Sequence, residues 1–434
     1  MIYLTKKLLF LTVLILFSKT LFASNSASYL ISQQAYKNHD YIKTLFDFNL
    51  KNSNFSRTTL MDKVIAAIIT EDIELANDIS NTLLDFEENN QEAYVVKLTY
   101  HYINNDLNKI RDLYDPKKNN NDLINFIFFN DNELRDNTTI SKSLLDIVIS
   151  SFSNAEQNTL NYNFLLFYTS LAKLIDPAND RATLIKGELF QNVNQYETAR
   201  NIFQMIKPES VYFNEAQKSL ALNYSIYLDY DKAEDKIKKL SSNNNYEIKN
   251  ILADFYRINK KYEYALNIYN ELIQESRNDV WKIFYLRGIC YERQGKWDLA
   301  EKDFLKSLEI KPDTPNVLNY LAYGWVERNI KLDESLRMLK SAYDLNPDSY
   351  YIIDSLAWAY FKKNNLEKAA ELMEKVIDIA PGEAISLDHL GDIYYAMDRK
   401  REAIHLWQQA LELAEPEDEI KEDVLGKLEN INAG

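Results

Sequence analysis

Four prolines recur at a nearly constant interval in the last third of the chain. Pro312, Pro347, Pro381 and Pro416 are separated by 35, 34 and 35 residues. A period of this length is typical of short helical hairpins that stack in a row, because two helices and their turns use about that many residues. The proline period therefore predicts a repeating array of helix pairs over this region.

Small and apolar residues recur in phase within each period. In the unit that begins at Tyr350, a first helix is predicted from Ile353, Leu356 and Tyr360, which lie three and four residues apart. Asn364 predicts the turn that follows. The second helix of this unit is lined by Ala369, Met373 and Val376 and is predicted to end before Pro381. Small residues are expected where the two helices cross, since closely packed axes leave little room there.

These units resemble the tetratricopeptide repeat. The family pattern has a small residue in the first helix, alanine in the second and proline at the end, which Ala357, Ala369 and Pro381 match in this sequence. Arg287 departs from the pattern, because it stands where leucine is usual. The resemblance implies an all-α fold, namely a tetratricopeptide-type α-solenoid in which stacked helical hairpins form a right-handed superhelix. A C-terminal capping helix is expected to close it.

The sequence predicts six segments. Lys6 and Lys7 precede an apolar run over residues 8–17, and Ala23 ends a candidate cleavage site, so the start is predicted to be a signal peptide. The predicted segments are a signal peptide (1–23), degenerate helical repeats (24–115), an interruption or linker (116–141), tetratricopeptide-like repeats (142–277), well-matched repeats (278–416) and the capping helix (417–434).

Composition excludes several classes of partner. The net charge of −15 and the isoelectric point near 5.0 argue against nucleic acid and anionic membranes, which attract basic surfaces. Cys290 is the single cysteine, so no disulfide within the chain is possible. Once the signal is removed, the protein is expected to be exported without stable membrane insertion. In a Gram-negative source it would be periplasmic, either soluble or peripheral to the envelope.

No catalytic or metal-binding motif is present in the sequence. None of the four histidines pairs at a metal-ligand spacing, and no nucleophile elbow occurs. The protein is therefore expected to be no enzyme and to need no metal or cofactor.

The resemblance implies a binding surface on the concave face, which the first helices of the repeats line. Transferred to this sequence, the candidate partner-binding residues are Tyr285, Asn319, Tyr323, Asp354, Trp358, Phe361, Asp388, Asp392 and Tyr395. Aromatic and acidic side chains together suit a peptide segment with apolar anchors and a lysine or arginine. The alternative is that Tyr323 and Trp358 only fill the space between repeats.

The layout resembles exported, periplasmic repeat proteins of Proteobacteria, with residues 318–326 as the most characteristic piece. That resemblance implies a non-catalytic scaffold or adaptor that binds a partner protein in the cell envelope. Some members of that class deliver substrates to carboxyl-terminal-processing proteases, and others serve envelope assembly. No cysteine is available for lipidation near the predicted cleavage site. A protein that binds glycan or peptidoglycan is the alternative, because exposed aromatic side chains with asparagine and aspartate also suit sugars.

Overall fold

The computed structural model forms two compact units, residues 1–248 and 249–434. The residues it describes are 32–45, 55–114, 122–130, 133–154, 160–242, 244–275, 279–414 and 420–432. The predicted signal peptide over residues 1–23 and the polar loop after Pro116 lie outside these described residues. None of the described helices is both long and apolar enough to cross a membrane.

The first unit consists of short helices and one small ladder. Its elements in chain order are α1 (32–37), α2 (Tyr41–Leu45), α3 (Arg57–Ile69), α4 (Ile73–Phe86), α5 (Gln91–Ile103), α6 (Leu107–Leu113), α7 (Asp122–Phe128), β1 (Phe129–Asn130), β2 (Glu133–Leu134), α8 (Asn137–Asn154), α9 (Tyr162–Ile175), α10 (Asp180–Asn192), α11 (Tyr196–Phe203), α12 (Phe213–Tyr227) and α13 (Tyr230–Ser241). Helix α14 (Tyr246–Ile258) contains the boundary between the units.

Helix α9 is the centre of the first unit. It packs against α3, α5, α8 and α10, and nine of its 14 residues are buried. A helix that is apolar on all sides must be surrounded by other helices. Because α3 and α5 precede the predicted interruption at 116–141, packing in this unit extends across that segment. The predicted segment boundaries themselves stay predictions.

The apolar run over residues 123–129 contains both a helix and the start of a strand. Helix α7 stops at Phe128, and Phe129 pairs with Leu134 in a two-residue antiparallel ladder. The ring of Phe129 stacks on Tyr114, with ring centroids 3.7 Å apart. This stacking holds the chain extended where the apolar pattern alone would continue the helix.

The second unit is a row of helical hairpins. Its elements after α14 are α15 (Tyr262–Gln274), α16 (Val280–Arg293), α17 (Trp297–Ile310), α18 (Pro315–Glu327), α19 (Leu332–Leu345), α20 (Tyr350–Lys362), α21 (Leu366–Ile379), α22 (Ala384–Ala396), α23 (Lys400–Leu413) and α24 (Ile420–Asn432). Each pair from α16–α17 to α22–α23 forms one hairpin, and consecutive hairpins pack on each other. The predicted all-α array of stacked hairpins is confirmed.

Glycine and alanine lie where the two helices of a hairpin cross, as predicted. A Cβ atom added to Gly288 would lie 2.6 Å from the ring of Phe304, and one added to Gly391 would lie 2.5 Å from the ring of Trp407. Ala357 and Ala369 are fully buried in their hairpin. The large ring of the second helix therefore occupies the space that a side chain on the first helix would need.

The turns inside the hairpins share one backbone feature. Gly295, Asn364 and Asp398 each have a positive φ, of 71°, 59° and 62°. Residues in this left-handed conformation end a helix by reversing the chain direction. The turn of the hairpin α18–α19 contains two positive-φ residues, Asn329 and Lys331.

Candidate functional site

The first helices of successive hairpins form one continuous face. Helix α18 contacts α20, α20 contacts α22, and α22 contacts the capping helix α24. A cavity of about 450 Å³ opens on this face and is lined by α16, α18, α20 and α22, with Glu383 just before α22. The cavity therefore extends over four hairpins. Only the first helix of each hairpin contributes to it, and the second helices do not.

Tyrosine is the dominant residue of this cavity, which we call the tyrosine pocket. The five rings that line it are Tyr285, Tyr320, Tyr323, Tyr350 and Tyr351. Tyr285 and Tyr320 meet edge to face with centroids 5.5 Å apart, and the Tyr351 hydroxyl donates to Asn316 Oδ1 at 3.0 Å. Rings held by such contacts present rigid apolar surface together with polar edges.

A buried polar group lies at one side of the pocket. Asp354 accepts hydrogen bonds from Ser386 Oγ at 2.6 Å and from His389 Nδ1 at 2.9 Å. Burial on its own would lower the pKa of His389, but the charges of Asp354, Asp388 and Asp392 outweigh it and raise that pKa above the ordinary histidine value. The Trp358 ring stacks on the imidazole with centroids 4.1 Å apart. This stacking and the bond to Asp354 fix the position of His389.

Asn319 differs from the other polar residues of the pocket. It is 7% exposed and lines the cavity. Its Oδ1 has no hydrogen-bond partner among the described residues. A buried acceptor without a donor lowers the stability of a protein by about 1–3 kcal/mol. Asn319 Oδ1 is therefore an unsatisfied hydrogen-bond acceptor within the pocket.

The structure places four of the nine predicted binding residues in the tyrosine pocket, namely Tyr285, Asn319, Tyr323 and Asp354. Trp358 is 6% exposed, and its Nε1 donates a hydrogen bond to Glu327 Oε1 at 2.6 Å. Phe361 stacks on it with centroids 4.8 Å apart. Trp358 therefore belongs to the packing between hairpins and contacts the pocket through His389, on which it stacks. Tyr323 also contributes surface to the pocket.

The remaining predicted residues lie farther along the same face, beneath the capping helix. Lys427 of α24 donates to both oxygens of Asp388, at 2.8 and 2.9 Å, and to Asp392 Oδ2 at 3.0 Å. Burial alone would lower the pKa of Lys427, but its hydrogen bonds to Asp388 and Asp423 raise it overall. Tyr395 remains 41% exposed beside Trp407. The cap therefore covers Asp388 and leaves the tyrosine pocket open.

Sequence reasoning missed several residues of this face. His389 was not among the candidate residues, and it bonds Asp354 in the preceding hairpin, 35 residues earlier. That interval equals the repeat period, which is a signal that could have revealed the pair. Lys427 was not singled out in the sequence, and it donates hydrogen bonds to Asp388 and Asp392 of α22. Tyr320 and Tyr350 were missed because they lie next to the family's groove positions, and Tyr351 was not named although it lies on one.

The described residues contain no group of three or more His, Cys, Asp or Glu side chains that could hold a metal ion. Two charged residues, Arg293 and Glu383, lie at the edge of the tyrosine pocket. What this arrangement offers is an aromatic cavity with acceptor groups, suited to holding a side chain.

Comparison with known families agrees with the repeat pattern. Models of the tetratricopeptide repeat match residues 281–314, 352–383 and 384–415. These segments correspond to hairpins α16–α17, α20–α21 and α22–α23, and the hairpin α18–α19 between them has the same arrangement. The second unit therefore contains tetratricopeptide repeats. Repeats of this type generally mediate protein–protein interactions.

One similar protein is a TPR repeat-containing protein of Pseudomonas aeruginosa, 26% identical over 125 residues. The match covers 29% of this chain and only 21% of the relative's length. Among solved structures, a tetratricopeptide repeat protein of Parabacteroides merdae is 21% identical, with a TM-score of 0.47, over 58% of this chain and 99% of the other. Yeast Tom70 is 13% identical, with a TM-score of 0.43, over 94% of this chain and 95% of the other.

Proposed function

We propose that this protein is a non-catalytic scaffold that binds a segment of a partner protein on the face formed by α16, α18, α20 and α22. The observation that carries the proposal is the tyrosine pocket, a cavity of about 450 Å³ shared by four hairpins. Cavities of several hundred cubic ångströms lined by aromatic side chains are typical of binding sites. Tyrosine is also enriched among the residues that contribute most to protein interfaces.

The pocket has the features of a recognition site for a flexible segment. Its walls are rigid rings, its floor has the unsatisfied Asn319 Oδ1, and its rim has the exposed Ile385. Rings supply contact area at low entropic cost, and an unsatisfied acceptor rewards a ligand that brings a donor.

The proposal also covers the cellular location of the protein and the process in which it takes part. The charged and apolar pattern of residues 1–23 supports export to the cell envelope, and the net charge of −15 supports a protein partner over nucleic acid. Within the envelope we place the protein as an adaptor for a periplasmic protease or for envelope assembly. A glycan-binding role is the second candidate, because five tyrosine rings and two asparagines in one cavity also suit a sugar.

A pair of isoleucines tests the binding face. Ile385 lines the pocket and is 56% exposed, whereas Ile379 is 45% exposed on a second helix and does not line it. Pull-downs would use the mature chain as bait in envelope extract, in wild-type, Ile385→Arg and Ile379→Arg forms. A partner retained by wild type and by Ile379→Arg, but lost with Ile385→Arg, supports the proposal.

Two results would overturn it. Equal retention of every partner by both variants would place binding elsewhere on the chain. Retention of the protein on purified sacculi, with loss upon Ile385→Arg and no protein partner, would establish the glycan role in its place.

A further inference from the structure

Asn319, Asp354 and Asp388 occupy equivalent places on three successive first helices, 35 and 34 residues apart. The later two receive their donors from the second helix further along the chain. Asp354 accepts from Ser386 and His389 of α22, and Asp388 accepts from Lys427 of α24. Asn319 is the first member of this row, and its buried Oδ1 alone of the three has no donor among the described residues. Nothing in the described part of the chain supplies this donor, so a bound ligand can do so.

Lys427 shows what kind of donor this face accepts. Its ammonium lies among the carboxylates of Asp388, Asp392 and Asp423, at 2.8 to 2.9 Å from each. It also lies 5.9 Å from the centre of the Trp407 ring. The capping helix therefore seats a cation between acidic side chains and an aromatic ring, on the same face that forms the tyrosine pocket.

The tyrosine pocket offers the same combination of groups around Asn319, which lies two hairpins before Asp388. Its acceptors are Asn319 Oδ1 and the carboxylates of Asp354 and Glu383, and its walls are tyrosine faces that attract cations. Burial, followed by the charges of Glu327, Asp354 and Glu292, raises the pKa of the Tyr323 hydroxyl. Carboxylates therefore lie near the Tyr323 wall of the pocket.

We propose that the tyrosine pocket binds a lysine or arginine side chain of the partner segment, whose cation donates a hydrogen bond to Asn319 Oδ1. This inference rests on the proposed function and specifies the chemistry of its partner. Arg293, the basic residue on the rim, lies 3.5 Å from Glu292 and limits the pocket to cations that reach past it.

The test uses a display library of random dodecapeptides, selected on the mature chain and counter-selected on the Ile385→Arg variant. Each selected peptide is then synthesised in its original form and in an uncharged form. In the uncharged form, each lysine is replaced by norleucine and each arginine by citrulline. Affinities are measured for wild type, Asn319→Asp and Asn319→Leu. Asn267→Leu is the matched control, because Asn267 is exposed on α15 away from the pocket. Tryptophan fluorescence confirms that each variant is folded.

The expected result is a selection for basic residues and a loss of about tenfold or more in affinity when the charge is removed. Asn319→Asp should tighten binding of the charged peptide by about threefold or more, because a carboxylate replaces the amide oxygen. Asn319→Leu should weaken it about tenfold, while Asn267→Leu leaves it unchanged.

Failure of this inference differs from failure of the proposed function. Peptides that require the pocket but bind equally well with norleucine or citrulline, or that bind Asn319→Asp more weakly, would overturn the cation assignment and leave groove binding intact. A selection that yields no peptide sensitive to Ile385→Arg would overturn both. If Asn319→Leu fails to fold, the peptide substitutions and Asn319→Asp still decide the matter.

Discussion

Lys427 Nζ donates hydrogen bonds to both carboxylate oxygens of Asp388, at 2.8 and 2.9 Å. This contact joins the capping helix α24 to the first helix of the last hairpin, across 39 residues of sequence. Asp388 is 6% exposed. The pair is therefore a fixed part of the second unit and not a surface ion pair.

Replacing Lys427 by methionine should destabilise the second unit by about 1–3 kcal/mol, because Asp388 would stay buried without its donor. All five tryptophans of the chain lie between residues 281 and 407, so tryptophan fluorescence during urea unfolding reports on this unit alone. Lys421→Met on the same helix is the control, since Lys421 makes none of these contacts. Equal midpoints for the two variants would show that the Lys427–Asp388 contact is not stabilising.

The His389–Asp354 pair should make the stability of the second unit depend on pH. The pKa of His389 is raised in the folded protein, so its contribution is fully present below the unfolded value of about 6.5. That contribution is lost as the pH rises through the folded pKa, because the imidazole then loses the charge that faces Asp354. As the pH rises from about 6.5 through the folded pKa of His389, wild type should lose stability relative to His389→Gln.

The difference between these two proteins would be followed by tryptophan fluorescence from about pH 5 to about pH 9. His405→Gln serves as the control, because His405 is exposed on α23. A wild-type profile parallel to that of His389→Gln throughout would contradict the assigned charge of His389.

Gly391→Ala should destabilise the last hairpin by about 1–3 kcal/mol through overpacking. The added Cβ would lie 2.5 Å from Nε1 of Trp407, whose ring is held by a hydrogen bond to Asp392. Gly382→Ala is the matched control, since nothing lies within 4 Å of its added Cβ. That control should be neutral or stabilising by up to about 1 kcal/mol. Chemical denaturation of both variants checks the difference, and equal midpoints would contradict the assigned helix crossing.

Cys290 should react with thiol reagents only when the second unit opens. It is fully buried, and burial, opposed by Arg257, raises the pKa of its thiol to about 12. Both the low accessibility and the scarcity of thiolate at neutral pH slow the reaction. The rate of modification by a disulfide reagent should rise with urea in parallel with the fluorescence transition. Rapid modification in native buffer would contradict this packing.

The repeat period was enough to predict the hairpins, because each one depends on contacts within about 35 residues. The second helix of the unit at Tyr350 was predicted to end before Pro381, and α21 ends at Ile379. Asn364 was placed in a turn, and its positive φ confirms it. In each case the signal is local, namely an apolar spacing, a breaker or a turn residue.

Contacts between hairpins were harder to predict. Trp358 was assigned to the groove, with packing between repeats as the alternative, and its buried ring stacks on Phe361 and His389. Whether an aromatic residue on a first helix faces outwards depends on the side chains of the next hairpin, which a single-repeat pattern does not contain. Lys427 was missed for a related reason, since the capping helix lies outside the repeat register and its acidic partners are on another helix.

The capping helix also determines where the row of hairpins stops. An uncapped last hairpin would present the apolar side of α22 with Asp388 lacking its Lys427 donor, and that surface resembles the one on which each earlier hairpin receives its successor. A surface of this kind is open to another copy of the chain, and head-to-tail contacts that do not close produce filaments. Lys427 and its helix cover this surface on the hairpin α22–α23, where another copy would otherwise have access.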